Sequence, residues 1–409
     1  AGMKKRRRRK RGCLQAFAMI GGLFCIAVAS FSIAYGIGFK PDVVKEIERE
    51  LTAPEEIPFQ EVVIQENEIG QKYYYRQLDE EEKLIYREIL EGVRVNTEEI
   101  YIHSSDAERS NEIFQFILKD CPDIFWCDGT ISATSYEGAE PYTVLKPTYT
   151  YGGEAKEQMK AQIEAQAFQC LSGIPSDESD YNKILYVYEY IVNTVDYDLE
   201  APDNQNIYSV FIHQRSVCAG YSKAAQYLLE QLGVFCTYVT GTTSGGQNHA
   251  WNLVKCEGDY YYMDVTWGDP VFQASEGEET NQFQLISYDY MLCDDTELMK
   301  NHTPDRDVVL PACTAMNRNY YMMNNMYYTS YDPDLVLMRM NNVTSKGGNP
   351  TVLKFASDAL YEEAHDDVFQ NVMKSAAQNL ADWYGLTEVR YQYMDEPDLN
   401  KITIYWQYD

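Results

Sequence analysis

Apolar positions along the chain follow two spacings. A three-to-four-residue spacing marks helices, and alternation or short apolar blocks mark strands. A helix opens at Leu78-Asp79-Glu80-Glu81-Glu82, with Leu84, Ile85 and Ile89 on one face. Its leading acids suit the positive end of the helix dipole. Asn111 to Lys119 predicts a second helix, stopped near Pro122, and Glu99–His103 and Pro141–Tyr151 read as strands. Gly153–Leu171 and Tyr181–Asn193 are stronger helical patterns. In the latter, Ile184, Leu185, Tyr188, Ile191 and Val192 share a face. From Tyr320 onward, strands are predicted near 320–328, 351–356, 387–394 and 401–408, with one helix across Tyr361 to Leu380. No fixed-period repeat is present.

One segment fits neither spacing. Cys13 to Phe39 is 27 residues without a formal charge. As a helix it would span about 40 Å, enough to cross a bilayer. Lys4 to Arg11, an unbroken run of eight basic residues, precedes it. Basic flanks stay on the cytoplasmic side, so the expected topology is a single-pass cell-membrane anchor with the C-terminal body extracellular. Ala27-Val28-Ala29 has the form of a signal-peptidase site, but the apolar stretch continues past it through Phe31, Ile33, Tyr35 and Phe39.

The chain has 409 residues, 45% of them hydrophobic and 13% aromatic, with 35 tyrosines. This is enough for several folded domains. The expected division is a polybasic segment 1–12, an anchor 13–39, a Glu- and Pro-rich stalk 40–70, an N-terminal α/β domain 71–151, a core domain 152–315 and a C-terminal α/β domain 316–409. Outside the basic run, 63 acidic residues face 26 basic ones. A body so acidic repels nucleic acid, which is excluded as a partner. The acids are dispersed without EF-hand spacing, so neither metal nor cofactor is expected. Of ten cysteines, eight lie beyond the anchor, and a pair such as Cys121 with Cys127 could close a disulfide.

The chemistry concentrates between Ile207 and Pro270. In Ser216-Val217-Cys218-Ala219-Gly220-Tyr221, Ser216 has the character of an N-cap. Ala224, Ala225, Leu228, Leu229 and Leu232 then recur at helical spacing, with Gly233 as the stop. Cys218 therefore falls in the first helical turn, where free N–H groups and the dipole stabilise a thiolate and can hold an oxyanion. A small buried core cysteine would fit this position too.

Among five histidines, His249 opens a strand running from Ala250 to Lys255, and a second strand runs from Tyr260 to Val265. The turn Glu257-Gly258-Asp259 between them marks a hairpin. With a two-residue loop, Cys256 faces Asp259 and Asp264 is the diagonal neighbour of His249. With a four-residue loop, His249 faces Asp264 directly. Both registers put the two side chains on one sheet face; a three-residue loop would separate them. An imidazole beside a carboxylate, placed near a helix-start thiol, is the nucleophile–base–orienter set of acyl-transfer enzymes.

Val217-Cys218-Ala219-Gly220-Tyr221, His249-Ala250-Trp251-Asn252 and Tyr261-Tyr262-Met263-Asp264-Val265-Thr266-Trp267 together closely resemble the three motif blocks of bacterial transglutaminase-like domains, within the papain-like cysteine-enzyme superfamily. The resemblance implies an α+β fold: a helix bearing the cysteine packed on an antiparallel sheet bearing the histidine and aspartate, flanked by smaller α/β units and preceded by the transmembrane helix. It implies Cys218 as nucleophile, His249 as general base and acid, and Asp264 as its orienter. A papain-type oxyanion glutamine would fall on Ile212, which cannot serve, leaving Tyr208, Gln205 or Gln214 as side-chain donors and Trp251 and Trp267 as cleft residues. The implied activity is thiol chemistry on peptide or protein amides through a thioester, at a cell surface and with a cell-wall-associated substrate among the options. Hydrolysis is slightly favoured over amine transfer. The alternative is a catalytically silent module that binds protein or cell wall.

Overall fold

The computed structural model describes residues 57–269 and 286–408. The expected polybasic segment, anchor and most of the stalk lie outside the described residues. Among those described, no helix is long and apolar enough to cross a membrane. The chain forms two compact units, the first comprising 57–64, 80–114 and 131–147 of the described residues, the second 65–79, 115–130 and 148–408.

In the first unit, helix α1 (Glu80–Arg94) buries Ile85, Tyr86, Ile89, Leu90 and Val93. Strand β1 (Ile100–Ile102) pairs antiparallel with strand β3 (Tyr142–Tyr149), Ile100 opposite Leu145. Helix α2 (Ala107–Asp120) starts four residues before the expected Asn111. Strand β2 (Cys127–Tyr136) was not legible in the sequence; its mostly half-buried positions give the pattern little contrast.

The second unit carries helices α3 (Gly153–Leu171), α4 (Asp180–Thr194) and α5 (Cys218–Gln231). Beside them stands a five-stranded antiparallel sheet of β4 (Cys236–Thr243), β5 (Asn248–Cys256), β6 (Asp259–Met263), β7 (Met291–Cys293) and β8 (His302–Pro304), in the order β8-β4-β5-β6-β7. Helix α5 buries Ala224, Ala225, Leu228 and Leu229 completely. Each leucine stabilises the fold by about 1.5–3 kcal/mol. The seam between α5 and β5 is also polar: Ser222 Oγ donates to the Ala250 carbonyl at 3.0 Å and Asn252 Nδ2 to the Ser222 carbonyl at 2.9 Å. The mixed helix-and-sheet architecture agrees with the expected α+β class.

Further along the same unit, β9 (Tyr327–Tyr328), α6 (Pro333–Thr344), β10 (Thr351–Phe355), α7 (Asp358–Asp367), α8 (Met373–Tyr384), β11 (Arg390–Glu396) and β12 (Lys401–Gln407) follow. Their sheet has the order β9-β10-β12-β11 and covers a core of Val336, Met340, Leu353, Ile402, Ile404 and Trp406. Three expectations change here. The strand near 320–328 shrinks to Tyr327–Tyr328, because Asn319 caps a short helix at Tyr320–Met323. Helix α6, opened by the Asp332 cap and Pro333, was not foreseen. The single helix across 361–380 is two, joined by a π-helical turn at Val368–Val372. None of the eight cysteines among the described residues is in a disulfide, so the expected Cys121–Cys127 bridge does not form.

Candidate active site

Cys218 is the first residue of α5. Val217, in extended conformation, is its N-cap and offers no side-chain bond. Ser216 is therefore not the cap. Its hydroxyl instead meets Ser209 Oγ at 2.6 Å and donates to the Asn204 carbonyl at 3.0 Å. Gly220 makes this approach possible: a Cβ there would lie 2.0 Å from Ser216 Oγ. The helix's own hydrogen bonding begins with Tyr221 N–H to the Val217 carbonyl at 3.1 Å. The N–H groups of Cys218, Ala219 and Gly220 precede it and belong to the donor-rich end of the helix. Cys218 is half-buried, and the other seven cysteines among the described residues are buried.

The β5–β6 hairpin adopts the two-residue loop, with Cys256 opposite Asp259 and Asn252 opposite Met263. Glu257 and Gly258 both have positive φ, as a tight hairpin turn of this twist requires. Asp264 follows the last ladder pair. His249 Nε2 meets Asp264 Oδ2 at 2.6 Å, with both side chains buried. A side-chain hydrogen bond joins His249 to Cys218. Since Nε2 is engaged by the carboxylate, Nδ1 is the ring nitrogen left for the thiol. Burial opposes charge on His249, but the charge of Asp264 and the hydrogen bonds to Asp264 and Cys218 outweigh it, raising its pKa to about 10. Burial likewise opposes charge on Asp264, yet His249 and His302 hold its carboxyl well below the usual carboxylate range.

Nothing in the local sequence singles out His302 as a member of this site. It lies on β8, with Thr243 of β4 opposite it. Its Nε2 reaches Asp264 Oδ2 at 3.1 Å, so two imidazoles share one carboxylate oxygen. The other oxygen, Oδ1, accepts the Trp267 N–H at 3.1 Å. Beside His302, the Trp251 indole occupies space that Gly241 leaves open: a Cβ at Gly241 would lie 2.6 Å from that ring. The pairing between β8 and β4 spans about sixty residues of chain, and no local pattern announces it.

The other expected site residues are less central. Trp251 is fully buried, with its ring 5.9 Å from His249, so it packs the site from inside and does not line an open cleft. Trp267 is half-buried, 6.1 Å from His249. Tyr208 donates its hydroxyl to Gln162 at 2.9 Å. Gln205 is exposed and bonded to Asn204 at 3.0 Å. Gln214 is exposed in a left-handed backbone conformation. None of these three has a described contact with Cys218. Tyr197 and Tyr238 lie close enough to Cys218 for a thiolate there, after burial, to disfavour their ionisation.

Donor atoms of His249, Asp264 and His302 all lie within 4.8 Å of one another, close enough to hold a metal ion. Here those atoms are hydrogen-bonded among themselves, with both Nε2 atoms directed at Oδ2.

Residues 170–265 match the family model of the transglutaminase-like superfamily, a stretch that includes Cys218, His249 and Asp264 but not His302. Kyphoscoliosis peptidase from mouse, and likewise from human, is 23% identical to the chain over 238 residues, covering 48% of this chain and 33% of the relative. The match thus spans about a third of these curated relatives. A solved structure described as a TGase aligns over 54% of this chain and 61% of its own at 14% identity, with a TM-score of 0.26, too slight a likeness to bear on function. The stretch 170–265 is thus similar to the transglutaminase-like superfamily, and the likeness covers the three residues that meet at the site.

Proposed function

We propose that the chain is a thiol enzyme acting on carboxamides of peptides or proteins. The observation that carries this is the half-buried Cys218 at the start of α5, hydrogen-bonded to a buried imidazole whose far nitrogen holds a fully buried carboxylate. His249, its pKa raised to about 10, already holds the proton of the pair as the Cys218 sulfur forms a bond to the amide carbon. The carbonyl electron pair moves onto oxygen, which the N–H groups at the start of α5 stabilise. Collapse breaks the C–N bond, and His249 passes its proton to the leaving amine or ammonia. The resulting thioester is attacked by water, deprotonated by His249, which releases the acid and restores the thiol. The name peptidase borne by both curated relatives favours water over an amine as acceptor. We also propose that residues 13–39 tether the enzyme to a membrane with its body outside the cell. A protease-shaving assay on intact cells tests this, and a body shielded from protease would refute it.

The enzymatic reading is tested by iodoacetamide labelling of the full chain at pH 6, with mass spectrometry locating the adduct. Cys218 should label ahead of the buried cysteines, and His249→Ala should slow it by roughly tenfold or more. Equal labelling with and without His249 would remove the reading and leave a binding module. Incubation with glutamine-containing peptides, with and without a primary amine, then separates hydrolysis from transfer.

A further inference from the structure

We infer that His302 is a positioning residue of this site, holding the Asp264 carboxylate in the orientation that engages His249. The inference rests on the proposed pairing of Cys218 with His249.

Asp264 lies beyond the last ladder pair of the β5–β6 hairpin, so strand pairing does not clamp it. Its backbone N–H donates to the Tyr290 carbonyl at 3.0 Å, which fixes the main chain but leaves the side-chain torsions free. The carboxylate is oriented by its donors alone: Trp267 N–H on Oδ1, and His249 and His302 on Oδ2. His249 must move a proton during the reaction, so it is the part to be held and cannot also be the holder. His302 suits the second task. Its side chain is fully buried, and Nδ1 is tied to Asn301 Oδ1 at 2.7 Å. The Asn301 amide in turn meets the Tyr290 hydroxyl at 2.5 Å. Around the ring stand Trp267 at 4.8 Å, Trp251 at 5.1 Å and Tyr290 at 5.1 Å between centroids. A ring bonded at both nitrogens and walled by three aromatics has little freedom to turn. The result is a chain of hydrogen-bonding contacts, Asn301–His302–Asp264–His249–Cys218; the two imidazole rings also lie 5.4 Å apart, so an Asp264→Asn background is what separates action through the carboxylate from direct ring contact.

The test compares His302→Leu, similar in volume but without a donor, with His302→Gln, which keeps an N–H at the far end of its side chain. Each is made in the full wild-type chain and in Asp264→Asn, and Cys218 alkylation by iodoacetamide is followed at pH 6. His302→Leu should slow wild-type alkylation about tenfold, and His302→Gln less than threefold, since one charge-assisted hydrogen bond is lost or kept. Neither should slow Asp264→Asn further, because residues acting through one another are not additive. A wild-type rate in His302→Leu, equal slowing by Leu and Gln, or the same slowing in both backgrounds overturns the proposal. Should His302→Leu fail to fold, His302→Met, likewise without a donor, takes its place in the two backgrounds: slowing confined to the wild-type background supports the proposal, and equal or absent slowing overturns it. A rate independent of His249 removes the enzymatic reading and His302 with it. A His249-dependent rate untouched by His302→Leu removes His302 alone.

Discussion

Two aspartates of the second unit are sealed from solvent, Asp264 at 0% exposure and Asp289 at 1%, and each lies between two basic side chains. Asp264 has two histidines. Asp289 has two lysines: Lys401 in direct contact and Lys354 at 3.6 Å. Both carboxyls are held low against burial, Asp289 at about 2 by its lysines. A depressed carboxyl pKa therefore does not separate a working site from a structural one. The partners do. Lys354 and Lys401 stand directly opposite each other on β10 and β12, and Glu297 and Glu396 join Asp289 in neutralising them. Asp289 is held low and Lys401 high, so this pair keeps its charges, and no described contact leads from it to a thiol. Around Asp264 the partners are imidazoles, and one of them leads to a half-buried thiol.

The largest effect that sharpens this contrast is expected at the lysine cluster. Lys401→Met leaves Asp289 buried without its main cation, beside a half-buried Glu396, and should cost about 3–5 kcal/mol. Urea unfolding measures the loss, and the folded fraction should still alkylate Cys218 at the wild-type rate. A slowed rate per folded molecule would show that the lysine cluster serves the site and would break the contrast. Asp264→Asn should do the reverse. Alkylation at pH 6 slows about 100-fold, worth about 2.7 kcal/mol, while stability changes less than in Lys401→Met.

The smallest effect is in pH dependence. His249 has its pKa raised, so its pairing stabilises the fold fully below about pH 6.5 and loses that contribution as pH rises towards about 10. The melting temperature of the wild type relative to His249→Gln should fall steadily over that window. Asp289 is lowered and Lys401 raised, so their pairing stays charged throughout it. The difference between wild type and Lys401→Met should be flat from about pH 6.5 to 9. A sloping difference at Lys401 would contradict the fixed-charge account.

Local pattern was enough for the elements that depend on near neighbours. Helix α5 was legible because Ala224, Ala225, Leu228 and Leu229 recur on one face, and they are the residues it buries. The hairpin register was narrowed to a few options by loop length, and Glu257-Gly258 settles it as a two-residue turn. The meeting of His249 with Asp264 followed from that register, since alternation along paired strands is a short-range rule. Ser216 misled for an instructive reason. Its residue type suits a cap, but the nearby Asn204 carbonyl and Ser209 hydroxyl compete for its side chain.

A helix-start cysteine and a histidine–aspartate hairpin could be read from the chain alone, because short-range periodicity and turn geometry govern both. That the hairpin's aspartate serves two histidines is a product of long-range packing. His302 reaches it by strand pairing across a long loop, a choice made by the packing of β8 on β4 and of Trp251 over Gly241. The same holds for Lys354 and Lys401, which look like ordinary surface lysines in the chain and become buried cations only where the distant acids Asp289 and Glu297 join the hairpin neighbour Glu396 around them.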